Sequence, residues 1–279
     1  MRLRLLLAAV LVHVTTPAFA ADCEALLLKY DDPKALEPRY LADLTTPAGG
    51  RLYYFGAEHS TDANHVQFAA IEKAWNDIHP TVAFYEGQER KAAEPDRAAA
   101  IAKGEADFVV FLARRDGVPL ARLEPDPTEE AAHVREVFPA DAVDLFYVLR
   151  QTTILRDRKG VAETQLPEAI GGLITKARGM GLLATVDSVD ALEHAFDARF
   201  EQPENWWQVP ADWFQPFVDP NDTSPQSVFR HINQRSSEFR NVSMFRKLSA
   251  ATTPGARVFA VVGRNHVPMQ IDALGCALK

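Results

Sequence analysis

Long apolar runs are almost missing from this sequence of 279 residues. The clearest one, at residues 5–12, is too short to cross a bilayer, which takes about 20 apolar residues. It follows Arg2 and Arg4 and precedes a small-x-small triplet that ends at Ala20, the pattern of a cleavable signal peptide. We therefore predict a signal peptide at 1–20 and a periplasmic or secreted mature chain with no stable membrane insertion.

Basic residues are also in the minority, and they form no stripe along the chain. The sequence has 30 lysines and arginines against 38 acidic residues, for a net charge of −8. Removal of Arg2 and Arg4 with the signal peptide leaves 28 basic residues and a net charge of −10. This balance does not suit a phosphate backbone, so nucleic acid is excluded as an expected partner.

Cysteine is scarce as well, with two residues that lie near the two ends of the predicted mature chain, Cys23 and Cys276. They form no C-x-x-C pair, which disfavours a metal or redox role. Export would place them in an oxidising compartment, where a disulfide between them is favoured. Two independent thiols are the alternative.

What the sequence does contain is the pattern Gly-x-x-His, twice, each time directly after an apolar run typical of a β-strand. The copies occupy residues 56–59 and 263–266. Chance predicts roughly 0.4 such pairs for 14 glycines and 8 histidines, so two copies in matching contexts are informative. A strand that ends in glycine can turn sharply at φ > 0, which places the next side chains on the rim of a sheet. We predict that His59 and His266 share one cleft.

Strand and helix patterns alternate in the first half of the mature chain, which predicts an α/β fold with a central, mostly parallel sheet flanked by helices. The predicted strands are 52–55, 81–85, 118–123 and 257–262, and the predicted helices between the first three are 64–78 and 105–114. Residues 128–250 have mostly helical patterns, at 129–137, 142–155, 168–178, 189–196 and 226–248. We interpret 21–279 as a single domain in which this helical insertion covers the rim at the carboxyl ends of the strands.

Parallel strands would deliver His59, Glu86, Glu124 and His266 to the same edge of the sheet. Two imidazoles with carboxylates can hold a divalent metal ion that activates water. Without a metal, one histidine can act as a general base that a glutamate orients. Glu58, beside His59, is a further candidate catalytic carboxylate, although a surface position is the simpler interpretation. If the last strand were antiparallel or distant, the two histidines would never meet.

The long predicted helix carries Arg240, which could bind a substrate carboxylate or stabilise an oxyanion. A salt-bridged helix face is the alternative interpretation. Three tryptophans precede this helix and either line a substrate groove or pack in the core. They are Trp206, Trp207 and Trp213.

The ordered series of motifs resembles the TraB/GumN (TIKI) superfamily, which is related to the erythromycin esterase and ChaN-like groups. The matching features are the two Gly-x-x-His turns, a strand that ends in Glu86, and Arg240-Asn241-x-x-Met244. The resemblance covers both ends of the mature chain and covers residues 128–225 poorly. Where TraB-like proteins often have Glu-Arg-Asp, this chain has Phe239-Arg240-Asn241, so the acidic partner is missing there.

This resemblance implies one hydrolytic site in an α/β fold with helical insertions. TIKI-like members are metal-dependent proteases, esterase-like members use histidine and glutamate, and pheromone-shutdown members bind or degrade peptides. The leading expectation is an exported metal-dependent peptidase or related acyl hydrolase that acts on a peptide or small acyl substrate. His59, Glu86 and His266 would hold manganese, cobalt or zinc, and Arg240 would steady the oxyanion. A metal-free esterase and a protein that only sequesters a ligand are the alternatives.

Overall fold

A computed structural model describes residues 22–90, 92–217 and 221–279 of the chain. The predicted signal peptide at 1–20 lies outside this part. Within these ranges, no helix combines the length and the apolar character that a membrane span requires.

Five strands form one mixed sheet in the order β1-β2-β5-β3-β4. Strands β2, β5, β3 and β4 are parallel to their neighbours, and only β1 is antiparallel. The predicted α/β class with a mostly parallel sheet is therefore confirmed. The strands are β1 Leu41–Thr45, β2 Arg51–Ala57, β3 Val82–Tyr85, β4 Leu120–Arg122 and β5 Arg257–Gly263.

The last strand of the chain, β5, lies in the middle of the sheet between β2 and β3. Its residues are buried after the first one, because the sheet is covered on both faces. In its register with β2, Gly56 is opposite Val262 and Ala57 is opposite Gly263. The two Gly-x-x-His turns therefore leave the sheet at the same edge and at the same height.

Among the elements that the sequence did not predict are the edge strand β1, the short helix Arg97–Ile101 and the last helix of the chain. Strand β1 pairs with β2 as an edge strand, and its short, half-polar sequence gives no clear strand pattern. In β1, Asp43 Oδ2 forms a salt bridge of 2.7 Å with Arg51 Nη2 on the neighbouring strand. Helix α9 (His266–Ala277) starts at the second histidine motif and carries Cys276 near its end.

Side chains alternate between the two faces of the sheet, as the pleat of a strand requires. On one face, Tyr53 and Phe259 pack with the helices α1 (Val66–Ile78), α2 (Arg97–Ile101) and α3 (Glu105–Arg115). On the other face, Leu52 and Tyr54 pack with α9 and with the end of the longest helix. That helix, α8, is Ser227–Ala251.

The middle of the chain is helical, as predicted. Residues 127–251 contain α4 Pro127–Arg135, α5 Ala140–Thr153, a π-helical turn Ile154–Arg158, α6 Leu166–Gly179, α7 Val189–Asp197 and α8. These helices build a core of their own that is rich in aromatic residues. Trp206 and Trp213 belong to that core and Trp207 packs against it, so the interpretation as core residues is confirmed for this group.

The two cysteines form a disulfide, Cys23–Cys276, with Cα atoms 5.5 Å apart and 253 residues between them in the sequence. Cys23 is fully buried on the face of the sheet that α9 covers. The disulfide thus fixes the start of the described chain to its last helix.

Removal of this link should destabilise the protein, because a long covalent loop restricts the unfolded chain. We expect the double variant Cys23→Ala, Cys276→Ala to lose about 4–5 kcal/mol of unfolding free energy. Urea unfolding, monitored by circular dichroism, measures this loss of unfolding free energy. The wild type in reductant should show the same midpoint as the variant, and an unchanged midpoint in both would contradict the prediction.

Candidate active site

A cleft of about 470 Å³ opens at the carboxyl ends of β2, β3 and β5. The sheet contributes His59, Glu86 and His266 to its walls, and the helical insertion contributes Arg150 and Phe214. The two histidines do line one cleft, as the sequence predicted. Ligand sites at this edge are the general rule for open parallel sheets.

His59 forms a pair with the buried carboxylate of Glu105, in the first turn of α3. The ring Nδ1 lies 2.6 Å from Glu105 Oε1, and the histidine side chain is 51% exposed to the cleft. The hydrogen bond to Glu105 raises the pKa of His59, although partial burial opposes it and the charge of Glu86 adds to it. With Nδ1 donating to Glu105, the Nε2 atom is free to accept a proton from the cleft.

Glu105 was predicted from the sequence only as the first residue of a helix, with no role in the site. An acidic residue in the first turn of a helix is ordinarily explained by the helix dipole, so its pattern carries no catalytic signal. Only the tertiary fold brings it against His59, 46 positions earlier in the sequence.

His266 is buried and is held by Asn241 of α8. Its Nδ1 lies 2.6 Å from Asn241 Oδ1, which also accepts a hydrogen bond of 3.0 Å from Gln270. Its Nε2 lies 3.5 Å from Glu86 Oε1. Asn241, which the sequence brought out only as part of the Arg240-Asn241-x-x-Met244 motif, therefore orients the second histidine.

Glu86, directly after β3, is at the centre of the charged groups. One carboxylate oxygen accepts a short hydrogen bond from the backbone N–H of Gly263. The other lies 3.5 Å from both His266 Nε2 and Arg240 Nη1. Burial alone would raise the pKa of Glu86, but the interactions with His266, with the guanidinium of Arg240 and with the Gly263 N–H outweigh it and lower the pKa well below its usual range. Glu86 is thus an ionised carboxylate at neutral pH.

Arg240 faces the cleft from α8 and is anchored by Glu124. Its Nη1 donates to Glu124 Oε1 at 2.6 Å, and its Nη2 lies 3.2 Å from Ser237 Oγ. The second oxygen of Glu124 accepts from the N–H of Gly87 at 2.8 Å. Burial opposes the charge of Arg240, yet the carboxylates around it raise its pKa. Glu124 therefore positions Arg240 and contacts neither histidine.

Glu58 lies on the rim of the cleft with an exposed side chain. Its carboxylate is 2.9 Å from Arg264 Nη1 and 3.7 Å from His65 Nε2. These contacts direct it toward the surface and away from the groups around Glu86. The predicted catalytic role of Glu58 gains no support from its position.

The two motif glycines are needed for space, and the prediction of a backbone with φ > 0 at these positions is wrong. Neither Gly56 nor Gly263 is among the positive-φ glycines, because each still belongs to its strand. A Cβ on Gly56 would lie 2.7 Å from the backbone Cα of Arg264, in the other motif. A Cβ on Gly263 would lie 3.0 Å from His59 Nε2 and 3.2 Å from Glu86 Oε2.

The three predicted ligands, His59, Glu86 and His266, fit a metal ion only in part. His59 has one ring nitrogen fixed by a carboxylate and the other open, which is typical of metal ligands. Glu86, however, is already bound by Arg240 and Gly263, so a cation would have to compete with a guanidinium. In the part of the chain that the structure describes, no three histidine, cysteine or carboxylate side chains group closely enough to hold a metal. The set His59, Glu86 and His266 stays a prediction.

Comparison of the sequence with protein-family models gives no match, and comparison with curated proteins gives no significant match. The function is therefore argued from the geometry of the cleft and from the motifs.

The spatial role of the two glycines can be tested by adding one methyl group to each. We expect Gly56→Ala to cost about 1–3 kcal/mol of unfolding free energy, because the new methyl meets rigid backbone. Gly263→Ala should cost less, because it meets the ends of two side chains. Gly172→Ala in α6, where a Cβ meets nothing within 4 Å, is the control. Equal urea midpoints for Gly56→Ala and Gly172→Ala would refute this explanation.

Proposed function

We propose that this chain is an exported hydrolase of acyl bonds, similar in its site to the TraB/GumN (TIKI) group. One observation carries the proposal. His59 Nε2 and Glu86 Oε2 both lie within 3.2 Å of one point above Gly263, while the other nitrogen of His59 is held by the buried Glu105. A base with a fixed tautomer beside an ionised carboxylate is an arrangement suited to activating water.

In this proposal His59 is the general base. Neutral His59 removes a proton from a water molecule between its Nε2 and Glu86, and the water attacks the acyl carbon. Glu105 stabilises the imidazolium that forms, and His59 then returns the proton to the leaving group. The products are a carboxylic acid and the free alcohol or amine.

Negative charge develops on the acyl oxygen during the attack and needs positive groups nearby. Arg240 lines the cleft with its guanidinium, and α9 begins there at His266. The amino end of a helix favours negative charge through its unpaired N–H groups. These two features support the predicted role of Arg240 near the oxyanion.

The metal-dependent version of this hydrolase would use His59, Glu86 and His266 as ligands for manganese, cobalt or zinc. Such an ion would polarise the acyl group and acidify a bound water. The ion pair between Arg240 and Glu86 favours the version in which His59 acts with Glu105 instead.

A protein that only sequesters a peptide or small acyl ligand would use the same cleft without the base. Turnover distinguishes the two: several product molecules per protein support the hydrolase, and stoichiometric binding without product supports sequestration.

The role of His59 predicts a specific pH dependence. A base acts in its neutral form, so kcat/KM for p-nitrophenyl acetate should rise with pH through the raised pKa of His59. Because Glu105 raises that pKa, Glu105→Gln should shift the rising limb to lower pH and lower its plateau. His59→Ala should lose about 10²- to 10⁴-fold in kcat/KM.

The control for this series is Glu193→Gln, which removes an exposed carboxylate from α7. Its profile should superimpose on that of the wild type. A rising limb that stays in place in Glu105→Gln would mean that another group titrates, and His59 would lose its role as the base.

Metal dependence is tested by dialysis against EDTA and by metal analysis of the purified protein. We expect full activity after EDTA and no stoichiometric metal, because Arg240 already neutralises Glu86. Activity that is lost in EDTA and restored by manganese, cobalt or zinc, but not in His59→Ala or His266→Ala, would instead support the metal-dependent version.

A further inference from the structure

The wall of the cleft opposite the sheet carries two arginines that the chemistry above does not use. Arg150 lies in the last turn of α5, and Arg158 ends the π-helical turn that follows it. Both line the cleft. π-helical turns are rare and occur frequently at functional sites.

The other arginines around the cleft have acidic partners. Arg240 is bound to Glu124, and Arg264 is bound to Glu58. Arg156, inside the same π-helical turn, is bound to Asp157 and to two backbone carbonyls. These partners account for the charges of the neighbouring arginines.

Arg150 and Arg158 differ from them. Across residues 22–90, 92–217 and 221–279, neither guanidinium has a hydrogen-bond or ion-pair partner. Arg150 is half-buried, and its guanidinium lies over the ring of Phe146, with Cζ 5.8 Å from the ring centroid. A partly desolvated guanidinium without an acceptor is unfavourable unless a ligand supplies one.

Both charges also act on the proposed reacting groups. Burial, followed by repulsion from Arg240, lowers the pKa of Arg150, and Glu86 is among the carboxylates that counteract this. The charge of Arg158 opposes protonation of His59. Because both arginines and His59 line the same cleft, one substrate can contact the arginines at one end and His59 at the other.

Building on the hydrolase function, we propose that the substrate carries an anionic group, a carboxylate or a phosphate, that Arg150 and Arg158 bind on the insertion wall. The acyl bond to be cleaved would then lie above Gly263, between His59 and Glu86. Arginine suits this task because its planar group can bind either anion through two parallel hydrogen bonds.

Anion binding can be measured without turnover. We expect succinate or inorganic phosphate to bind the wild type in isothermal titration calorimetry, and the better ligand identifies the anion. Arg150→Met should weaken that binding by about 10- to 100-fold, the loss expected for charged hydrogen bonds. Arg150→Lys should restore only part of it, because an ammonium group cannot form the paired contact.

The control variant is Arg114→Gln, which removes an exposed arginine of α3 far from the cleft and changes the net charge equally. Its affinity should equal that of the wild type. Absence of binding to the wild type, or equal affinities for wild type and Arg150→Met, would overturn the anion site. Urea midpoints check that each variant is folded.

A second measurement links the site to turnover through two esters that differ in one charge. The wild type should have a kcat/KM about 10-fold or more higher for mono-p-nitrophenyl succinate than for p-nitrophenyl acetate, mainly through a lower KM. Arg150→Met and Arg158→Gln should reduce this preference. Anion binding without turnover of either ester would refute the hydrolase and keep the anion site. Turnover of both esters with no preference and no anion binding would refute the site and keep the hydrolase.

Discussion

The parallel insertion of β5 between β2 and β3 is the constraint on which the cleft depends. Strand β5 carries the second histidine motif, and its neighbours carry His59 and Glu86. Since all three strands run the same way and end at one height, side chains that are about 200 positions apart in the sequence meet at one edge. Gly56 and Gly263 have no side chains, and this allows the two turns to pack against each other and against the reacting groups. The disulfide Cys23–Cys276 holds the helix that follows β5 against the same sheet.

A network of buried charges is the second feature that shapes the cleft. Glu86 and Glu124 share Arg240, and each carboxylate also accepts a backbone N–H from the end of a neighbouring strand. Buried charges are tolerated when they are paired and hydrogen-bonded, so this network fixes α8 of the insertion to the edge of the sheet. The same network sets the chemistry that we propose, because it keeps Glu86 ionised and leaves His59 free to take up a proton.

Much of the site could be predicted from residue types in their order along the chain. His59, Glu86, Glu124 and His266 were singled out because polar residues directly after apolar strands lie at the edge of a parallel sheet. Arg240 was singled out on a predicted helix and through the family resemblance. The role of Glu105 could not be found in this way, and Asn241 was named only as part of a motif, without a role. Each lies in a helix where a polar residue gives no signal in the sequence, and each gains its role only through contact with a distant histidine. The unpartnered state of Arg150 and Arg158 is likewise invisible in a sequence, since it depends on which acidic groups fail to reach them.

The sequence by itself determined the class of the fold, the helical nature of residues 128–250 and the identity of the histidines and carboxylates at the strand ends. These follow from local periodicity and from the chemistry of single residues. Only the tertiary structure decided that β5 occupies the centre of the sheet, that Glu105 and Asn241 hold the two histidines, and that the motif glycines serve close packing. Strand order and side-chain partners depend on contacts between distant segments, and no local pattern encodes which of the possible pairings buries the most apolar surface while satisfying every buried charge.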